Sequence, residues 1–152
     1  MDAKVKKPKP DLLVIGWIEH LALPDLGLMN VRAKIDTGAR TSALHATDIE
    51  TFMQDDVEMV RFAAQLDEGQ APVVIETPVY DRREIKNTSG IPEMRIVIRT
   101  KLQLTDRKWS ITVSLSDRSN MRFPMIVGRT ALKKHNIAVH TRSANLTAKF
   151  SE

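Results

Sequence analysis

Residues 109 to 116 alternate without a break between large apolar side chains (Trp109, Ile111, Val113, Leu115) and small polar ones (Ser110, Thr112, Ser114, Ser116). Successive side chains leave opposite faces only in a strand, so this segment must lie with one face in a core and the other in water. The same period-2 pattern sets Met29, Val31, Ala33 and Ile35 against Asn30, Arg32 and Lys34, and it ends at Asp36. Strands need partners, and several β-rich runs bounded by turn formers point to an all-β fold.

The remaining segments fit that class. Leu12 to Ile18, interrupted by Gly16, reads as a strand with a bulge, and Pro24, Asp25 and Gly27 form a turn after Leu21–Leu23. Val57–Gln65 and Val73–Val79, separated by Asp67-Glu68-Gly69-Gln70, read as a hairpin with acidic residues at its tip. Residues 81 to 93 are polar, with Asn87-Thr88-Ser89-Gly90 in the middle, and are expected to form a long loop or protruding hairpin before a strand from Met94 to Leu104. After a polar loop over 117–122, Phe123–Val127 reads as a short strand ending at Gly128. Arg129–His135 is the one short helix, with Lys133, Lys134 and His135 in a favourable last turn and Asn136 placed to cap it. Ile137–His140 and Asn145–Phe150 are expected to complete the mostly-β domain.

Composition narrows the function classes. The chain has 152 residues, 42% of them hydrophobic, which is enough for a core without metal or disulfide. With no cysteine, thiol catalysis and Cys-containing zinc sites are excluded. No apolar run approaches the roughly 20 residues that span a bilayer, and the candidate signal segment Leu12–Trp17 is too short and soon meets Glu19, so a cytoplasmic location is expected. Four lysines with Pro8 and Pro10 make residues 1–10 a basic tail expected to be disordered, leaving 11–152 as the folded domain.

The net charge of +4 comes mostly from that tail. Within the body, residues 46–76 hold eight carboxylates and only Arg61, whereas residues 81–142 hold fourteen Lys and Arg against five acids. The second half is a candidate anion-facing surface. Aromatic residues are only 5% of the chain, which argues against the stacking platforms of single-strand nucleic-acid binders.

The residues that carry chemistry are Asp36-Thr37-Gly38-Ala39 at a strand end, Thr41-Ser42-Ala43-Leu44 after them, and the distant Met125-Ile126-Val127-Gly128-Arg129 leading into a helix with Leu132. In this order they resemble the retropepsins, the homodimeric branch of the aspartic proteases. The longer stretch Lys34–His45 is also similar to a bacterial branch of retropepsin-like proteins labelled ATP-dependent zinc proteases, some of them associated with ATP-grasp ligases that append glutamates to proteins. Neither half of that label has support in the residues: there is no His-Glu-x-x-His and no Gly-rich Lys-Ser/Thr phosphate loop. His20, His45, His135 and His140 lack metal-ligand spacing, so no metal and no cofactor are expected.

The resemblance implies an acid-protease barrel and a chemistry of paired carboxylates. Two carboxylates sharing a proton supply the base that activates water and the acid that protonates the carbonyl oxygen. One Asp-Thr-Gly per chain then demands a twofold homodimer with Asp36 from each copy. Thr37 would hydrogen-bond across to the partner loop, and Gly38 would allow close backbone approach. Ala39 offers the carboxylates no hydroxyl, which suits a working pH nearer neutral than an acidic lumen. Gly128 and Arg129 are expected to support the active loop from below, Arg129 within a buried hydrogen-bond network.

Arg40, Arg82, Arg83 and Arg95, with Lys86, are either ordinary solvated charges or, as the sharper expectation, cleft residues reading carboxylates of an acidic, glutamate-rich peptide. Residues 81–95 would be a mobile cover over the shared cleft. The expected function is peptide or isopeptide hydrolysis by water held between two Asp36 carboxylates, with a linked ATP-grasp ligase as a further partner. The alternative is a non-catalytic binding module of the same fold, holding an acidic protein tail or RNA on its basic face.

Overall fold

The computed structural model describes residues 11–67, 69–86, 89–117 and 122–150. The basic tail, the Glu68 tip residue, Asn87-Thr88 and most of the polar loop at 118–121 lie outside the described residues. The elements run β1 (Leu13–Gly16), β2 (Ile18–Leu23), a 3-10 turn (Pro24–Leu26), β3 (Leu28–Asp36), β4 (Ser42–His45), β5 (Thr47–Gln54), β6 (Val57–Ala64), β7 (Val73–Pro78), β8 (Asp81–Lys86), β9 (Pro92–Leu104), β10 (Arg107–Ser116), β11 (Met125–Gly128), α1 (Arg129–Leu132), β12 (Ile137–His140) and a 3-10 segment (Leu146–Phe150).

Strands β10-β4-β11-β3-β2-β9 lie side by side, and pairing of β9 with β10 closes them into a barrel, so the fold is all-β as the alternating segments require. Inward-facing residues of the period-2 segments fill it: Val31, Ala33, Val113, Met125 and Val127 have no exposed surface, and Ile35, Ile111 and Leu115 have little. β8 extends the sheet beyond β9, β5-β6-β7 form a separate antiparallel sheet, and β1 pairs in parallel with β12. Val60 and Phe62 of β6 and Ile75 of β7 join the core cluster. No helix among the described residues is long and apolar enough to cross a membrane.

Residues 81–104 resolve in favour of a hairpin, with β8 and β9 paired from Asp81↔Val97 to Lys86↔Pro92. The 57–79 hairpin is present, but β4 and β5 carry strands where none was expected. β5 joins β6 through a two-residue turn whose residues, Asp55 and Asp56, both have positive φ (47° and 64°). This is the left-handed geometry of tight hairpin turns, which Asp tolerates better than most residues.

The helix is shorter than its pattern suggests. It stops at Leu132: Lys133 leaves at ψ 137° and Lys134 sits at φ 74°. The chain must reverse at once, because Ile137 has to pair with Leu13. The three basic residues therefore follow the helix instead of forming its last turn, and Asn136, at φ 53°, lies in the reversal.

The last segment is also not a strand. Glu19, fully buried on β2, accepts hydrogen bonds from the N–H groups of Gly16 (2.5 Å), Leu146 (2.9 Å) and Thr147 (3.2 Å) and from the Thr147 hydroxyl (2.7 Å). A buried carboxylate is tolerable only with donors of this kind, and these curl residues 146–150 into a 3-10 helix against the β1–β2 corner.

His135 packs beside this reversal, stacked on Trp109 with ring centroids 4.4 Å apart and planes at 22°. Its proton affinity is pushed below the ordinary histidine range, first by burial and second by the positive charge of Arg107. The folded imidazole takes up its proton at a lower pH than the unfolded chain, which does so near pH 6.5. Stability is thus complete above that pH and falls as the pH drops below it toward the native value. We expect the denaturant midpoint to fall between pH 7.5 and pH 5.5, and His135→Phe, which keeps the stack, to reduce that fall.

Candidate active site

Asp36 is the last residue of β3, delivered there by a strand whose alternate residues Val31, Ala33 and Ile35 are anchored in the core. β11 inserts between β3 and β4, parallel to the first and antiparallel to the second, so the loop over 37–41 must pass across the end of β11. Gly128 stands level with Asp36 in this register. A Cβ on Gly128 would come within 2.7 Å of the Thr41 carbonyl carbon and oxygen and 2.9 Å of its nitrogen, so glycine is what lets the two backbones cross.

The crossing is pinned by hydrogen bonds. The Gly128 N–H donates to Ser42 Oγ (3.0 Å), and Ser114 Oγ donates to the Ser42 carbonyl (3.0 Å), tying β11, β4 and β10 together. The N–H groups of Arg129 and Thr130 donate to the carbonyls of Ala39 (2.8 Å) and Arg40 (3.3 Å), and the Thr130 hydroxyl also reaches Arg40 O (2.5 Å). Arg129 Nη1 donates to the Gly38 carbonyl at 3.1 Å. Arg129 is exposed, not buried as the resemblance implied, because it opens the helix on the cleft side.

Within the loop the Gly38 N–H donates to Asp36 Oδ1 (3.0 Å) and the Ala39 N–H to the Asp36 carbonyl (3.1 Å). A Cβ on Gly38 would stand 3.2 Å from Asp36 Oδ1, so the missing side chain leaves room for the carboxylate. Asp36 is half-buried, and Thr37 and Gly38 are exposed.

Ile35 and Thr37, on either side of Asp36, line a cleft of about 1460 Å³. Its lining carries four cations, Arg40, Arg83, Arg129 and Lys133, against one carboxylate, Glu84, and includes the apolar Trp17, Leu132, Ile137 and Val139. Lys133 and Trp17 had no local signal: Lys133 reaches the cleft because α1 ends early, and Trp17 because the chain breaks between β1 and β2 there. Among the described residues no three His, Asp or Glu side chains come together as a metal site.

The four candidate substrate arginines separate. Arg40 and Arg83 line the cleft, Arg83 with its Nε on Asp81 (2.9 Å). Arg82 is away from the cleft lining and grips both carboxylate oxygens of Glu58 on β6 (2.5 and 2.7 Å), which ties the β8–β9 hairpin to the three-stranded sheet. That grip holds the exposed Glu58 carboxyl below its ordinary range, chiefly by the hydrogen bond. Arg95 is buried, with Nη2 on Glu93 (3.3 Å).

Comparison with known proteins adds the following. A probable alpha-L-glutamate ligase of Desulfotalea psychrophila is 42% identical over 122 residues, covering 78% of this chain and 26% of that protein. One of Parasynechococcus marenigrum is 39% identical, covering 79% and 26%. The chain thus spans about a quarter of the length of the curated relatives it matches. A crystal structure of a Legionella pneumophila protein of unknown function aligns over 89% of this chain and 98% of its own, with a TM-score of 0.76 and 26% identity. The profile of the retropepsin-like aspartic endopeptidase RimB matches residues 14–149, and this chain belongs to the RimB-like family of retropepsin-like proteins.

Proposed function

We propose that the protein is an aspartic-type peptide or isopeptide hydrolase working as a homodimer, with one Asp36 from each copy. The observation that carries this reading is the single oriented carboxylate of Asp36 between two cleft-lining residues, in a family of aspartic endopeptidases. One carboxylate takes a proton from water as its oxygen attacks the carbonyl carbon; the other, protonated, gives its proton to the carbonyl oxygen. Collapse of the tetrahedral intermediate expels the amine, which leaves with a proton from the dyad. Thr37 faces the partner loop across the twofold axis, and the Gly128 crossing holds the loop in place.

The excess of cations over the single carboxylate Glu84 in the cleft lining favours an acidic, glutamate-rich peptide as substrate, and the ligase names of the relatives suit a link to a glutamate-adding ligase. Those same names favour a second reading, a binding module that holds an acidic tail beside a ligase. The two part on assembly and turnover. We expect light scattering at micromolar concentration to give about twice the 17.1 kDa chain mass, and mass spectrometry to find glutamate-rich peptides shortened near neutral pH. A monomer that binds such peptides without shortening them establishes the binding module instead.

A further inference from the structure

The chain leaves β12 at His140 and turns over residues 141–145 to reach the last 3-10 segment. The backbone N–H groups of Arg142 and Ser143 both donate to His140 Nδ1, each at 3.1 Å. Nδ1 can accept only when it carries no hydrogen, so this geometry requires a neutral ring whose single in-plane lone pair serves two amides. The turn borders the cleft: Thr141 lines it, as does Val139 just before. The Ser143 carbonyl accepts the N–H of Trp17 (3.0 Å), another lining residue, and the Asn145 N–H donates to Ile18 O (2.8 Å). Gly16, level with His140 in the β1–β12 register, makes this approach possible, since a Cβ there would stand 2.5 Å from Ser143 O and 2.8 Å from Ala144 Cα. β1 brings no titratable side chain to this corner. On β2, Glu19 accepts from Leu146 and Thr147 beyond the turn, and His20 meets Asn30 instead. Arg142 adds a positive charge within the turn itself.

We propose that His140 is a pH-sensitive positioning residue for the cleft. Neutral, its ring gathers the start of the 141–145 turn and so holds Thr141 and the Ser143–Trp17 tie in place. Protonated, it sets an N–H against two backbone N–H groups, and the start of the turn loosens. Histidine is the side chain whose charge changes between about pH 5 and 8, and His140 is exposed, so the proton reaches it from solvent. The device acts on the shape of the cleft and holds whether the cleft cuts peptide or only binds it.

Amide protection measured by hydrogen exchange at pH 7.5 and pH 5.5, without peptide, tests it. Protection at Arg142, Ser143 and Trp17 should fall about fivefold or more on acidification. His140→Asn places an amide Oδ1 at the same number of bonds from the backbone as Nδ1, and this acceptor does not titrate, so protection there should stay level. Level protection in the parent, or an equal fall in His140→Asn, overturns the proposal. A fall at Arg142 and Ser143 that leaves Trp17 protected overturns the link to the cleft. If His140→Asn does not fold, the ring nitrogen shifts of the parent at pH 7.5 decide: a hydrogen on Nε2 supports the proposal, and one on Nδ1 overturns it. A second arm rests on the acidic-peptide reading above. In the Asp36→Asn background, a glutamate-rich peptide should lose more affinity between pH 7.5 and pH 5.5 than it does when His140→Asn is added, and equal losses overturn the link to the cleft. No binding at either pH would sink the acidic-peptide reading, while the amide results would still decide the role of His140.

Discussion

Asp36→Asn is expected to lower the rate of peptide cleavage by roughly 10³-fold or more, because it removes both members of the proton-sharing pair in the dimer at once. The substitution is nearly isosteric, and the amide oxygen can still accept the Gly38 N–H that now points at Oδ1 from 3.0 Å. The melting temperature and the solution mass should therefore stay close to those of the parent, which separates lost chemistry from lost structure. A variant that cleaves as well as the parent removes Asp36 from the mechanism. Mixed dimers of parent and variant chains give a further check, since a shared dyad makes them as inactive as the variant itself.

Gly128→Ala is expected to damage the fold, costing about 3 kcal/mol. The added methyl would meet the backbone of Thr41 at 2.7 to 2.9 Å, and no side-chain rotation can relieve a clash with backbone. The loop over 37–41 would have to lift, stretching the bonds from the Gly128 N–H to Ser42 Oγ and from the Arg129 N–H to Ala39 O. Displacement of the same loop moves Asp36, so activity should fall further than stability alone explains, by up to about 10²-fold for a 1 Å shift. Gly27→Ala is the control: its φ of 73° is strained for alanine, but the space around it is open. Urea unfolding should show a much smaller loss there and no change in cleavage. Equal losses at the two positions would mean that the crossing of β11 beneath the loop does not govern the site.

The two glycine positions show which features of the chain could be read in advance. Gly27 follows Pro24 and Asp25 in a turn whose chemistry is local, and the turn stands where those residues put it. The β3 and β10 strands were equally legible as strands, because period-2 alternation over seven or eight residues has one physical solution, but the faces did not follow throughout: Met29 on the apolar side is exposed, and Ser114 and Ser116 on the polar side are buried. The hairpin turn at Asp55-Asp56 was less so: a pair of aspartates tolerates positive φ but does not demand it as Asn-Gly or Asp-Gly does. α1 was overextended for a related reason. Residues 129–135 suit a helix taken alone, and only the parallel pairing of β12 with β1 forces the reversal after Leu132.

The order of chemical residues along the chain, Asp36 at the end of an alternating strand and Gly128-Arg129 far downstream, was determined by sequence alone. So was the acidic and basic division of its two halves. Tertiary structure decided which charges meet. Arg82 and Arg83 are neighbours in the chain, yet one binds Glu58 on another sheet and the other lines the cleft. Arg95 is buried opposite Arg83 through a register set by the hairpin, and Lys133 reaches the cleft through a helix that ends early. Local alternation specifies strands; only the closing of the barrel, by pairings between residues distant in sequence, specifies what each strand end confronts.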